Sequence, residues 1–203
     1  MAHHGNIPHE PPLILAIENS GPCGSVALVS NRGCLAEYAL TSSKTHSKRL
    51  LATIDQLLRE TDHTIFGIDA IAVSLGPGSF TGLRIGLATV KGLCMAAEKA
   101  LIGVSTLDAL AMQLPHQPRQ VCAVLDARKK EIFAACYKTD RPGLPRRTMA
   151  PAALSAEALA GRISEDTLFI GDGTQVYGEY FAEKLGPLYK EVSPGLFFPR
   201  AGV

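Results

Sequence analysis

Two kinds of apolar pattern alternate along the first half of the chain. Short runs rich in branched apolar residues predict strands, namely "LILAI" from Leu13 to Ile17, then "VALVS", "GCLAEYAL" and "IDAIAVSL". In "HSKRLLATIDQLLRE" the leucines and isoleucine recur at helical spacing, which predicts a helix between the third and fourth strands. A long segment of small and apolar residues follows "IDAIAVSL" and predicts a second helix from about Thr81. This alternation is typical of an α/β fold.

The second half shows the same kinds of element. "LIGV" predicts a strand, and "STLDALAMQL" predicts a helix with Ser105 as its N-cap. "VCAVLDA" and "EIFAACYK" predict a hairpin around "RKK". After a connection from Thr139 to Arg147, "SAEALAGRI" predicts a helix capped by Ser155, "TLFIGDG" a strand and "TQVYGEYFAEKL" a helix. The tail "SPGLFFPRAGV" has no strong periodicity.

One structural unit occurs twice. In "LILAIENSGPCGSVALVS" an apolar strand leads to a carboxylate, a turn and a second strand, and "VCAVLDARKKEIFAACYK" repeats this order with Asp126 in the place of Glu18. Sugar kinases and actin are built from two such ribonuclease H-like halves, each a mixed sheet flanked by helices. We therefore predict actin-like halves over 13–104 and 105–203, after a disordered lead-in over 1–12.

A glycine turn, "GPGSFTG", separates the fourth strand from the second long helix. Its spacing matches neither a P-loop nor the Gly-x-Gly-x-x-Gly dinucleotide fingerprint, and it lacks the Gly-x-Ser-x-Gly nucleophile elbow. Ser79 or Thr81 could cap the helix, and the first N–H groups of the helix could hold an anion. The spacing leaves an anion site and a plain turn equally open. Weak candidates for cofactor binding are Glu18, Ser20, Gly78 and Ser79.

The helix after this turn has more apolar surface than one sheet contact needs. At 100° per residue, one face is predicted to pack on the sheet: Leu83, Leu87, Val90, Cys94 and Ala97. A further face consists mainly of small residues: Gly82, Ile85, Gly86, Thr89, Gly92, Leu93 and Ala96. This face fits either a neighbouring helix of the same domain or a helix of another subunit, and its geometry does not choose between them.

Charge and composition exclude several classes of protein. The chain has 203 residues and a net charge of +1, so it is a poor candidate for binding RNA unaided. Its five cysteines form no C-x-x-C pair, which is typical of reduced cytosolic thiols, and no metal site is predicted. We expect no signal peptide and no apolar run of membrane-spanning length, hence a cytoplasmic protein without membrane contact.

Several of these segments together resemble the TsaB (YeaZ) family. They are "LILAIENS…GSVALVS", "SKTHSKRLLATIDQLL", "IDAIAVSLGPGSFTGLRIGLATVKGL", "IGVSTLDALA" and "VLDARKKEIFAACY", and the similarity covers roughly Leu13 to Arg200. The resemblance implies an actin-like fold and a role in making threonylcarbamoyladenosine in tRNA. The family is similar to the catalytic TsaD but is regarded as its activating partner. TsaE completes the bacterial machinery, and TsaC supplies the threonylcarbamoyl-adenylate.

Departures from active relatives favour a non-catalytic subunit. TsaD-type proteins hold a metal with a His-x-x-x-His pair, whereas the corresponding helix here reads "STLDALAMQL". Active kinases of this fold carry Asp-x-Gly-Thr and TsaB relatives Asp-Thr-Ser, whereas this chain has Glu18-Asn19-Ser20-Gly21. We therefore expect no cofactor on this chain, with ATP or ADP and metal on partner subunits.

The resemblance also sets expectations about partners and about the second half. We expect pairing with TsaD or with a second copy through the helical faces of the first half, and contact with TsaE and tRNA only through the complex. Family members usually continue past the "FFPRA" region, so the second half is expected to be small or truncated. The alternatives are an actin-like small-molecule kinase or ATPase and a homodimeric scaffold. The older label of glycoprotease finds no support, because the sequence contains no His-Glu-x-x-His.

Overall fold

The computed structural model describes residues 11–41 and 47–203, so the predicted lead-in lies almost entirely outside the described residues. The first sheet contains five strands: β1 (Ile14–Glu18), β2 (Cys23–Ser30), β3 (Gly33–Thr41), β4 (Ala70–Gly76) and β5 (Ala100–Ser105). Helix α1 (Ser47–Glu60) connects β3 to β4, and α2 (Phe80–Ala97) connects β4 to β5. Together these elements form the first lobe.

Five further strands form a second sheet: β6 (Gln120–Arg128), β7 (Glu131–Lys138), β8 (Arg146–Leu154), β9 (Thr167–Ile170) and β10 (Tyr189–Glu191). Its helices are α3 (Thr106–Met112), which precedes β6, α4 (Ala156–Ala160) between β8 and β9, and α5 (Gly173–Leu185) between β9 and β10. These elements form the second lobe. The serine caps predicted for α3 and α4 are confirmed, since Ser105 Oγ and Ser155 Oγ accept hydrogen bonds from the N–H groups of Asp108 and Ala158.

The two sheets have the same topology. The first has the order β3-β2-β1-β4-β5, in which β1 is antiparallel to β2 and parallel to β4. The second has the order β8-β7-β6-β9-β10, with β6 antiparallel to β7 and parallel to β9. The predicted duplication is therefore confirmed. The second half is predicted to be small or truncated; its described residues form as many strands as those of the first half.

Each lobe buries its own apolar core. One face of the first sheet packs under α1 and α2, with Leu15, Leu28, Leu57, Ile71 and Val90 at most 1% exposed. The second sheet is covered on one face by α4 and α5 and on the other by α3. Burying each such side chain contributes about 1.5–3 kcal/mol relative to exposure, so the two cores are what hold each sheet against its helices.

Two strands were not predicted from the sequence. Strand β8 is a mostly exposed edge strand that contains Pro151, and its pairing with β7 is irregular, so it shows no regular alternation. Strand β10 has only three residues and pairs with β9 alone. Both lie at the edges of the second sheet. Edge strands are the least buried, so their sequences show the weakest alternation of apolar and polar residues.

Helix α2 corrects the expectation about membrane-spanning length. Its 18 residues have a mean hydropathy of 1.2, so by length and composition alone it could cross a membrane. In the structure, however, Val90 and Cys94 of this helix pack into the core of the first lobe, while Arg84 and Lys91 are exposed. We therefore assign α2 to the α/β fold, as a helix with one side on the sheet and an unusually apolar outer side.

Candidate functional site: the glycine turn and helix α2

The glycine turn lies directly against the first hairpin, which connects β1 to β2. The backbone N–H of Ser79 donates a hydrogen bond to the carbonyl oxygen of Ser20 at 2.6 Å. A Cβ atom on Gly78 would lie 2.4 Å from the same oxygen, so no larger residue fits there without a shift of the backbone. Glycine at this position therefore serves the close approach of the turn to the hairpin.

The N-terminus of α2 packs against the same hairpin just as closely. A Cβ atom on Gly82 would lie 2.1 Å from the carbonyl oxygen of Asn19, and Asn19 Nδ2 donates to the carbonyl oxygen of Gly82 at 2.8 Å. Ser79 caps the helix by accepting a hydrogen bond from the N–H of Gly82. The carbonyl groups of the hairpin thus pack against the helix N-terminus, where an anion would otherwise approach. Of the two interpretations left open by the spacing, this geometry favours the plain turn.

The four weak candidates for cofactor binding form one connected group. Glu18 is 4% exposed, and its Oε1 accepts a hydrogen bond from the N–H of Ser20 at 2.5 Å. Ser20 in turn contacts Gly78 and Ser79 through its carbonyl oxygen. The carboxylate therefore bonds to its own hairpin, and burial raises the pKa of Glu18 above its usual value. In the part of the chain that the structure describes, no three histidine, cysteine or acidic side chains cluster as metal ligands.

The raised pKa of Glu18 makes a prediction about stability. Below the normal pKa of a glutamate the side chain is protonated in both the folded and unfolded states, and its burial costs little. As pH rises from there through the raised folded pKa, burial increasingly opposes ionisation, and the protein loses stability. We expect Glu18→Gln to raise the melting temperature at pH 8 and to change it much less at pH 4, because glutamine keeps an acceptor for Ser20.

Thermal melting of the wild type and of Glu18→Gln between pH 4 and pH 8 tests this prediction. Glu131→Gln, at an exposed position, is the control. A variant that melts lower than the wild type at pH 8 would mean that the ionised carboxylate is needed at this position.

A cleft of about 460 Å³ separates this group from the second hairpin, which connects β6 to β7. On the far wall, the N–H of Asp126 donates to Asp172 Oδ1 at 3.1 Å, and Arg128 Nη1 lies 3.2 Å from Asp126 Oδ2. Burial raises the pKa of Asp172 above its usual value. Asp126 was identified from the repeated hairpin in the sequence, whereas Asp172 was missed, although the glycine turn "GDG" at the start of α5 was a signal for it.

The exposed side of α2 differs from the predicted face. Gly82 and Gly86 do not belong to it, because both are buried and a Cβ atom on Gly86 would contact Asn19 and Val73. Because these glycines let the hairpin approach closely, their side of the helix is the buried one, whereas Leu83 and Leu87 are only half-buried. Of the other predicted residues, two are exposed and three are half-buried: Gly92 and Ala96, then Ile85, Thr89 and Leu93.

Several exposed apolar residues near this face were missed. Met95 and Ala88 lie on the outer side of α2, and Met95 is 83% exposed. Leu51 on α1 and Phe66 in the loop after it are 56% and 69% exposed, and with the half-buried Leu93 they line a groove between the helices. The helical spacing of Met95 was visible in the sequence, whereas the position of Phe66 depends on how the loop folds. We call Ala88, Gly92, Met95 and Ala96 the outer face of α2.

Comparisons with known proteins match the chain to a TsaD family model and to relatives named TsaB or YeaZ. The model of the family described as "TsaD: tRNA N6-adenosine threonylcarbamoyltransferase" matches residues 35–193. The chain is 33% identical to the tRNA threonylcarbamoyladenosine biosynthesis protein TsaB of Escherichia coli, over 81% of this chain and 73% of that protein. Among solved structures, YeaZ from Pseudomonas aeruginosa superposes with a TM-score of 0.78 at 29% identity, over 94% of this chain and 87% of that one.

A more distant structure bears on the fold alone. The ethanolamine utilization protein EutJ from Carboxydothermus hydrogenoformans superposes with a TM-score of 0.54 at 12% identity. With the repeated sheet topology, these neighbours confirm the predicted fold of two actin-like halves with mixed sheets flanked by helices.

Proposed function

The chain belongs to the TsaB (YeaZ) family, and on this premise we propose that it is a non-catalytic subunit that pairs with TsaD and activates it. The family places the chain in the biosynthesis of threonylcarbamoyladenosine in tRNA. The activity of the complex would then belong to TsaD, and this chain would supply a surface for it. The observation that carries the proposal is the outer face of α2, which is apolar, exposed and rich in small residues.

Gly92 is the most informative residue of that face. It is exposed in the middle of α2, and a Cβ atom on it would meet nothing within 4 Å. Glycine inside a helix costs about 0.5–1 kcal/mol relative to alanine, and no close contact of Gly92 with the described residues 11–41 and 47–203 offsets that cost. A small residue at this position is therefore best explained by the close approach of another helix, from TsaD or from a second copy of this chain.

The first hairpin supports a subunit without its own catalytic centre. Glu18 is buried, bonds to its own hairpin, and stands where active kinases of this fold carry aspartate. The hairpin also packs against the start of α2, where the N–H groups of Ser79 and Gly82 already donate hydrogen bonds within the chain, and this supports a turn without a phosphate ligand. We propose that the chain requires no cofactor, that ATP or ADP and metal bind to partner subunits, and that TsaE and tRNA contact the chain only through the complex. The site of action would be the cytoplasm.

Reconstituted modification of tRNA tests this proposal. Purified TsaD and TsaE are mixed with tRNA, ATP and pre-made threonylcarbamoyl-adenylate, with and without this chain, and the modified nucleoside is measured by mass spectrometry. We expect product from the full mixture, far less without this chain, and none from this chain alone. Undiminished product in its absence would contradict the activating role, and transfer by the isolated chain would contradict the non-catalytic role. Steady ATP turnover by the isolated chain would instead favour the kinase alternative.

A further inference from the structure

The last described residues leave the second lobe and return to the first. We call residues 197–203 the strap. Phe197 at its start is buried, and the carbonyl oxygen of Phe198 accepts a hydrogen bond from Gln113 Nε2, just after α3, at 3.1 Å. From there the strap crosses to the face of the first sheet opposite to α1 and α2. This places a second-lobe segment on the first lobe with contacts far apart in sequence.

Glu37 of β3 holds the strap by three hydrogen bonds. Arg200 donates from Nε to Glu37 Oε1 at 3.1 Å and from Nη2 to Glu37 Oε2 at 2.6 Å, so the ion pair is bidentate. The N–H of Gly202 donates to Glu37 Oε1 at 3.2 Å. The Glu37 side chain is only 13% exposed, so this ion pair is better shielded from solvent than an ordinary surface pair.

A second anchor lies deeper in the sheet. The N–H of Ala201 donates to Ser25 Oγ at 2.9 Å, and both residues are buried. The Ala201 side chain packs against Ala16 and Ala27, whose small size lets the strap lie close to the strands. Among residues 11–41 and 47–203, the pair of Arg200 with Glu37 is the sole ion pair that joins the two lobes.

The strap also forms part of the cleft between the lobes. Phe198 and Pro199 line it, with Ser20 and Ser79 of the first lobe on one side and Asp126 of the second lobe on the other. Displacing the strap therefore removes a wall of the cleft and a connection between the lobes at the same time. We propose that the strap is a latch that fixes the separation of the two lobes, so that the cleft keeps one width without any bound ligand.

Hydrogen exchange on Glu37→Gln and Arg200→Gln tests the latch. Each variant loses the ion pair between Arg200 and Glu37. Because Arg200 is half-exposed, Arg200→Gln should leave the apolar core intact. We expect the amides of Ala201 and Gly202 to exchange roughly ten- to a hundredfold faster. The backbone amides on both walls of the cleft, in 20–21, 78–80 and 126–128, should also exchange faster, and small-angle X-ray scattering should show a larger radius of gyration. The control, Arg141→Gln at an exposed position of the second lobe, should change none of these.

Two results would overturn the proposal. Faster exchange confined to the strap, with unchanged cleft loops and scattering, would mean that the strap covers the sheet without setting the lobe separation. Unchanged exchange at Ala201 and Gly202 in both variants would mean that the ion pair does not hold the strap. None of these measurements depends on TsaD, so the latch and the proposed function can fail independently.

Discussion

Replacing Gly82 by alanine should lower the stability of the protein by about 3 kcal/mol. The new methyl group would meet the backbone carbonyl of Asn19 at 2.1 Å, and backbone cannot move aside as a flexible side chain can. Overpacking of this kind costs about 1–3 kcal/mol, and losing the hydrogen bonds between hairpin and helix adds about 0.5–1.5 kcal/mol for each bond. For a chain of this length, the melting temperature should fall by about 6–12 °C.

Gly92→Ala is the matched control, because it makes the same chemical change in the same helix. The added methyl group meets open space, so the usual gain of about 0.5–1 kcal/mol for alanine over glycine should appear. Thermal and urea unfolding of both variants at low protein concentration measure the two changes. Equal effects at the two positions would contradict the close contact between the first hairpin and α2.

The sequence predicted the elements well wherever burial imposes a pattern on it. The central strands β1, β4 and β6 are short apolar runs, and α1 repeats its leucines at helical spacing, so each was recognised. The duplicated hairpin indicated the topology before any contact was known. The edge strands β8 and β10 were missed because a mostly exposed strand has no apolar face to reveal it.

The site was harder to predict than the fold. Helical periodicity identified two candidate faces of α2, but it could not show that Gly82 and Gly86 lie against Asn19, more than sixty residues earlier in the chain. A glycine on a helix is compatible with a partner helix and with a nearby backbone, and only the three-dimensional contact separates them. The strap was missed for the same reason, since Arg200 meets Glu37 across a separation of 163 residues.

The outer face of α2 leads to the prediction with the largest effect on function. Gly92→Arg should keep the monomer folded and raise its melting temperature by about 2–4 °C, because arginine favours a helix by roughly 1 kcal/mol over glycine. The same side chain should block the close approach of a second helix. Overpacking by about 1–3 kcal/mol corresponds to roughly ten- to a hundredfold weaker association, and tRNA modification should fall with it.

Analytical ultracentrifugation with and without TsaD, thermal melting and the reconstituted reaction measure these three effects on one variant. Ala182→Arg places the same side chain on an exposed position of α5 in the second lobe, and it should leave association and modification unchanged. A lower melting temperature for Gly92→Arg would mean that Gly92 packs within its own lobe. A stable Gly92→Arg monomer that still binds TsaD and supports modification at the wild-type level would show that the partner binds elsewhere, because arginine at this position leaves no room for a helix in close contact.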